Sequence, residues 1–67
     1  MNVFVNSKEE ITNENETLFG LLLHIELAEK NGIAVAINNH IIQKAKWPSV
    51  ELKANDKITI IKATQGG

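Results

Sequence analysis

Apolar and polar positions alternate from the first residues of the chain. Met1, Val3 and Val5 fall on one side of an extended backbone with Phe4 on the other, and Asn6-Ser7 supplies a turn into a second strand ending near Thr12. The polar run over residues 13–16 then reads as a loop. Thr17, set before an apolar run, is a helix N-cap, with Glu14 and Glu16 near the positive end of the helix dipole. The predicted helix continues to about Lys30, where Asn31-Gly32 offers a left-handed stop. Leu18, Leu21, Leu22 and Ile25 form its core face at helical spacing. Phe19, Leu23 and Leu27 form a second stripe, more than a helix covering a single sheet requires, and the segment 43–56 is its expected cover. Trp47 is the candidate to pack there or at the core edge.

Beyond the helix, the β-branched and alanine run 33–37 fits a buried strand, and Asn38-Asn39-His40 turns it into Ile41-Ile42-Gln43. Trp47-Pro48 is expected to interrupt regular structure, because proline biases its predecessor toward extended backbone. Residues 50–52 form a short extended piece, Asn55-Asp56 a turn, and residues 57–63 a last strand. That strand sets Ile58 and Ile60 on one face and Thr59 and Ile61 on the other. Strand, strand, helix, strand, strand, strand is the order of an α+β fold in which a mixed sheet wraps one helix, the β-grasp arrangement. One domain over residues 1–63 followed by a tail, 64–67, is the expected organisation.

Composition narrows the chemistry. Sixty-seven residues with 43% hydrophobic and 22% charged content suit one small globular core and leave little room for a walled catalytic cleft. Seven basic against eight acidic residues, without a run of either sign, argue against nucleic acid and against polybasic membrane docking. No apolar stretch approaches the roughly 20 residues that span a bilayer, and the N-terminus lacks the pattern of a secretory signal, so the cytoplasm is the expected location. Without cysteine there is no disulfide, thiolate metal site or catalytic thiol. No phosphate-binding glycine loop or metal-spaced cluster is present either, and His24 and His40 read as surface groups without partners. The domain itself is therefore not expected to be an enzyme.

The remaining chemistry is at the terminus. Thr64-Gln65-Gly66-Gly67 follows the last strand, and glycines without Cβ can thread a narrow channel into another protein's active site. The terminal carboxylate, with an ordinary pKa of about 3.3–3.7, is ionised at neutral pH and is a nucleophile toward an activated phosphate. Gly-Gly alone is weak, since a frayed end can contain two glycines. The chain also carries, spread over its whole length, Ile33-Ala34-Val35-Ala36-Ile37-Asn38, Ile41-Ile42, Trp47, Asp56-Lys57-Ile58 and the terminal Gly66-Gly67. With this set it resembles the ThiS sulfur carriers of thiamine biosynthesis. The resemblance implies that a ThiF-type adenylyltransferase uses Mg-ATP to form an acyl-adenylate on Gly67. A persulfide donor system then converts this to a thiocarboxylate, and the thiazole synthase ThiG takes the sulfur. Thr64, Gln65 and Gly66 would enter the partner's active site. The chain itself would bind no cofactor, ATP and Mg being used by the activating partner.

Such a carrier needs a docking surface. Phe4 and Ile61 lie close together on the outer sheet face if the first and last strands are neighbours, and an exposed apolar pair of this kind suggests partner contact. Three other readings stand beside the main one: a molybdopterin-synthase small-subunit-like carrier, a ubiquitin-like protein modifier, and an interaction module with an incidental tail.

Overall fold

A computed structural model describes residues 1–62; the predicted tail residues Thr64, Gln65, Gly66 and Gly67, and Ala63 before them, lie outside the described residues. Strand β1 (Asn2–Val5) pairs antiparallel with β2 (Lys8–Ile11). At the connecting Asn6 and Ser7, φ is 50° and 70°. Two successive left-handed residues make a type I′ turn, whose twist matches that of the strands it joins. The second hairpin repeats this solution: β3 (Ile33–Ile37) and β4 (His40–Ile42) are joined by Asn38 and Asn39, at φ 49° and 72°. Asparagine tolerates this region better than most residues, so both predicted turns form where the asparagines stand.

The last strand, β5 (Lys57–Lys62), inserts between the hairpins, parallel to β1 and antiparallel to β3. The sheet order is β2-β1-β5-β3-β4. One face carries Val3, Val35, Ile58 and Ile60, all buried, against helix α1 (Leu18–His24). This is the β-grasp fold that the element order predicts.

Helix α1 is shorter than its apolar pattern predicts. Thr17 caps its start, the Oγ1 accepting from the Gly20 N–H at 3.0 Å. Its end comes at His24 and not near Lys30, because Glu26 adopts φ 65°. The Glu26 N–H donates to the Leu23 carbonyl (3.1 Å) and the Leu27 N–H to the Leu22 carbonyl (2.7 Å). These two bonds are those of a Schellman cap, which normally places glycine where Glu26 stands. Gly32, at φ 76°, instead bends the chain into β3.

The segment after β4 also departs from expectation. Trp47-Pro48 does not interrupt structure but sits inside a 3-10 helix, Lys44–Ser49. Proline's fixed φ is compatible with such a turn. Trp47 is 1% exposed against α1, and its Nε1–H donates to the Ile42 carbonyl at 3.1 Å. Tryptophan thus buries its ring while its one donor is satisfied. The second stripe of the helix divides: Phe19 and Leu27 are half-buried against the core, whereas Leu23 is half exposed. Residues 50–52 run beside the helix start. Leu18 N–H donates to Val50 O (2.8 Å) and Leu52 N–H to Glu16 O (2.7 Å), which closes the far side of the core.

Candidate functional site

The strand that leads to the tail is the middle strand of the sheet, held from both sides. On the β3 side, pairing runs through Ile33 opposite Lys62. On the β1 side, the backbone ladder ends at Val5 opposite Ile58, and the Asn6 side chain then takes over. Its Oδ1 accepts from the Ile60 N–H (2.8 Å) and its Nδ2 donates to the Ile60 carbonyl (3.3 Å), standing in for one more strand residue. At the other end of β5, Asn38 Oδ1 accepts from the Lys57 N–H (3.0 Å) and Asp56 Oδ1 accepts from Asn38 Nδ2 (3.1 Å). Each hydrogen bond of this kind adds on the order of 1 kcal/mol. β5 is thereby anchored along its whole length, up to the last described residue.

Outer-face geometry separates the two expected docking residues. β1 and β5 are neighbours, as predicted, but the register sets Phe4 opposite Lys57 and not near Ile61. Four residues along a strand span about 13 Å at roughly 3.3 Å per residue, so Phe4 and Ile61 do not meet. The sequence could not reveal this, because the register comes from hydrogen bonding across the sheet. Phe4 is half-buried and lines a shallow cavity of about 610 Å³ with Asn6, Asn38, Lys57 and Thr59, between the two hairpin turns.

Ile61 is in different company. It is 52% exposed and stands directly opposite Ala34, while the adjacent outward position, Ala36, stands opposite Ile41, 65% exposed. Two alanines thus form a low floor between two projecting isoleucines, one near the end of β5 and the other level with Thr59. Exposed isoleucines with alanines between them, on a sheet face that none of the described residues covers, form a patch and not scattered apolar residues. Ile41 was not anticipated. Its signal was the adjacent Ile41-Ile42 pair, since period-two alternation must send one of the two outward.

The histidines are not brought together. His24 is exposed in the last turn of α1, and His40 is exposed with Nδ1 3.1 Å from the Asn38 carbonyl. Among the described residues no group of three or more His, Cys, Asp or Glu side chains is placed to hold a metal.

A central anchored strand ending beside an apolar patch, with Gly-Gly at the end of the chain, gains its meaning from relatives. The model of the ThiS family matches residues 2–67. The chain belongs to the ThiS family. The match reaches the terminal glycines as well as the folded body. Solved structures that resemble this ThiS-family chain include two from one organism. One is the crystal structure of a thiamine biosynthesis protein (ThiS) from Geobacter metallireducens, 22% identical with a TM-score of 0.85, each chain covering 100% of the other. The other is an NMR solution structure of a thiamine biosynthesis protein from the same organism, 22% identical with a TM-score of 0.76, covering 100% of this chain and 88% of that one. At this identity the likeness speaks for the fold. No curated protein matches the chain significantly.

Proposed function

We propose that this ThiS-family chain is a sulfur carrier of thiamine biosynthesis that works through the carboxylate of Gly67, as a co-substrate and not as an enzyme. The observation that carries the reading is the extent of the family match, which includes Gly66-Gly67. In the first step a carboxylate oxygen attacks the α-phosphorus of Mg-ATP on a ThiF-type adenylyltransferase, and pyrophosphate leaves. The terminal sulfur of a persulfide donor then attacks the acyl carbon and AMP departs. A thiol cleaves the resulting S–S bond, leaving a thiocarboxylate on Gly67 and a disulfide on the donor side. The thiazole synthase ThiG takes up that sulfur. ATP and Mg belong to the activating partner, and the cytoplasm is the compartment in which this cycle runs.

Geometry supports a division of labour. Gly67 is five residues beyond Lys62 (67 − 62), a length that extends at most about 18 Å. A partner that holds the carboxylate in its active site must therefore seat on surface near the end of β5. Ile61 and Ala34 occupy that surface; Ile41, level with Thr59 on the second strand over, and Phe4, about 13 Å further back at ~3.3 Å per residue, contribute only to a larger footprint. Thr64, Gln65 and Gly66 form the segment that enters the partner.

The decisive experiment is intact-mass analysis after incubation with the cognate ThiF-type enzyme, ATP and a sulfur source. Exchange of one oxygen for sulfur at the C-terminus is expected, and no exchange with a competent enzyme would sink the proposal. Deleting Gly67, or appending a residue after it, should abolish activation and leave circular dichroism and melting unchanged. A ladder of heavier conjugates on an immunoblot of native lysate would point instead to a protein modifier.

A further inference from the structure

We propose that Asn31 is a site of spontaneous deamidation in the folded protein, closing to a succinimide with Gly32 and opening to aspartate or iso-aspartate at the entrance to β3. The inference is independent of the sulfur-carrier reading. It rests on the different ways in which the fold treats its eight asparagines.

Asn6 and Asn38 have both side-chain heteroatoms engaged. The Asn6 amide bridges the N–H and carbonyl of Ile60, and the Asn38 amide bridges Lys57 N–H and Asp56 Oδ1. Asn2 Nδ2 is hydrogen-bonded to the Glu9 carboxylate. For these side chains to turn back on their own backbone, the native bonds must break first. Asn13, Asn15, Asn39 and Asn55 are followed by Glu14, Glu16, His40 and Asp56, whose side chains crowd the attacking nitrogen. All eight asparagines are exposed, and Asn31 differs from the others in the combination of two features. Its side chain makes no hydrogen bond among the described residues, where those of Asn2, Asn6 and Asn38 do. It is also the asparagine followed by glycine. Gly32 has no Cβ to hinder the approach, and its φ of 76° reflects the conformational range open to glycine.

The chemistry balances without an external oxidant or reductant. The Gly32 backbone nitrogen loses its proton and bonds to Cγ of Asn31; the Cγ–Nδ2 bond breaks and ammonia leaves. Water then opens the five-membered ring. Cleavage of the new N–Cγ bond returns an ordinary aspartate, and cleavage at the main-chain carbonyl routes the backbone through the side chain as iso-aspartate. Either product is one charge more negative than the native net charge of −1. Iso-aspartate also inserts a methylene two residues before Ile33, which pairs with Lys62 at the end of β5.

The test incubates the full chain in mildly alkaline buffer, folded and in denaturant at the same pH, with fragmentation mass spectrometry to locate each gain of one mass unit. Asn31 should be the main site in the folded chain, converting within a few-fold of its denatured rate and becoming a substrate for isoaspartyl methyltransferase. Folding should slow Asn6 and Asn38 by roughly tenfold or more, the effect of two hydrogen bonds that must open. Asn31→Gln should remove the main acidic product and leave melting unchanged. Protection of Asn31 by folding as strong as that of Asn6 and Asn38, or no conversion of Asn31 in the folded chain, overturns the proposal.

Discussion

Ile58 and Ile61 are the same residue type, three positions apart on one strand, and they meet opposite fates. Ile58 is 1% exposed under α1; Ile61 is 52% exposed on a face that none of the described residues covers. Burial of an isoleucine side chain is worth about 1.5–3 kcal/mol, so one supports the fold and the other leaves most of that free energy unclaimed. The contrast extends across the sheet. Val3, Val35 and Ile60 join Ile58 inside, and Ile41 and Ile11 join Ile61 outside. One face stabilises the domain, while the other leaves large apolar side chains exposed.

Ile58→Ala should cost about 2–5 kcal/mol, read as a lowered denaturation midpoint, because the surrounding core relaxes only partly around the cavity. In a domain of this size each kcal/mol moves Tm by roughly 4–8 °C. A loss below that range would mean that the core is loosely packed and the two faces are less distinct than their exposures suggest.

A smaller effect of opposite sign tests the helix that makes the inner face an interior. Glu26 occupies a left-handed position that costs a residue with a Cβ about 1 kcal/mol, so Glu26→Gly should stabilise the protein by roughly that amount. Chemical denaturation measures it, and activation at Gly67 should not change. A destabilised variant would show that the Glu26 side chain contributes something beyond its backbone position.

Ile61→Ala gives the smallest stability change, within about 0.5 kcal/mol, and should slow adenylation by the cognate enzyme. A loss as large as that of Ile58→Ala would make the outer face structural. Unchanged stability together with unchanged adenylation would remove Ile61 from the docking surface.

Local chemistry explains which parts of this were legible. Both hairpin turns stood on asparagines, Thr17 on its capping oxygen, and the inner face on the alternation of Val3, Val5, Ile58 and Ile60. The helix end was misread because the Schellman position holds a glutamate, whose propensity gives no such signal, while Asn31-Gly32 gave a strong one for a different bend. Trp47-Pro48 was misread because burial of the indole against α1 outweighed proline's preference for an extended neighbour. Of the candidate site, Gly67 and Ile61 came from sequence, and Ile41 and the separation of Phe4 from Ile61 came from the sheet.

By itself the sequence determined the order of elements, the composition of the core face and the Gly-Gly terminus, since each depends on residues close together in the chain and on their period. Only the tertiary structure decided that the tail-bearing strand is the central one, that Asn6 completes its pairing, and that Ile61 faces Ala34 and not Phe4. Those facts depend on register between distant segments. A shift in pairing leaves every local propensity unchanged and alters every neighbour, so only the assembled sheet specifies the surface beside the tail.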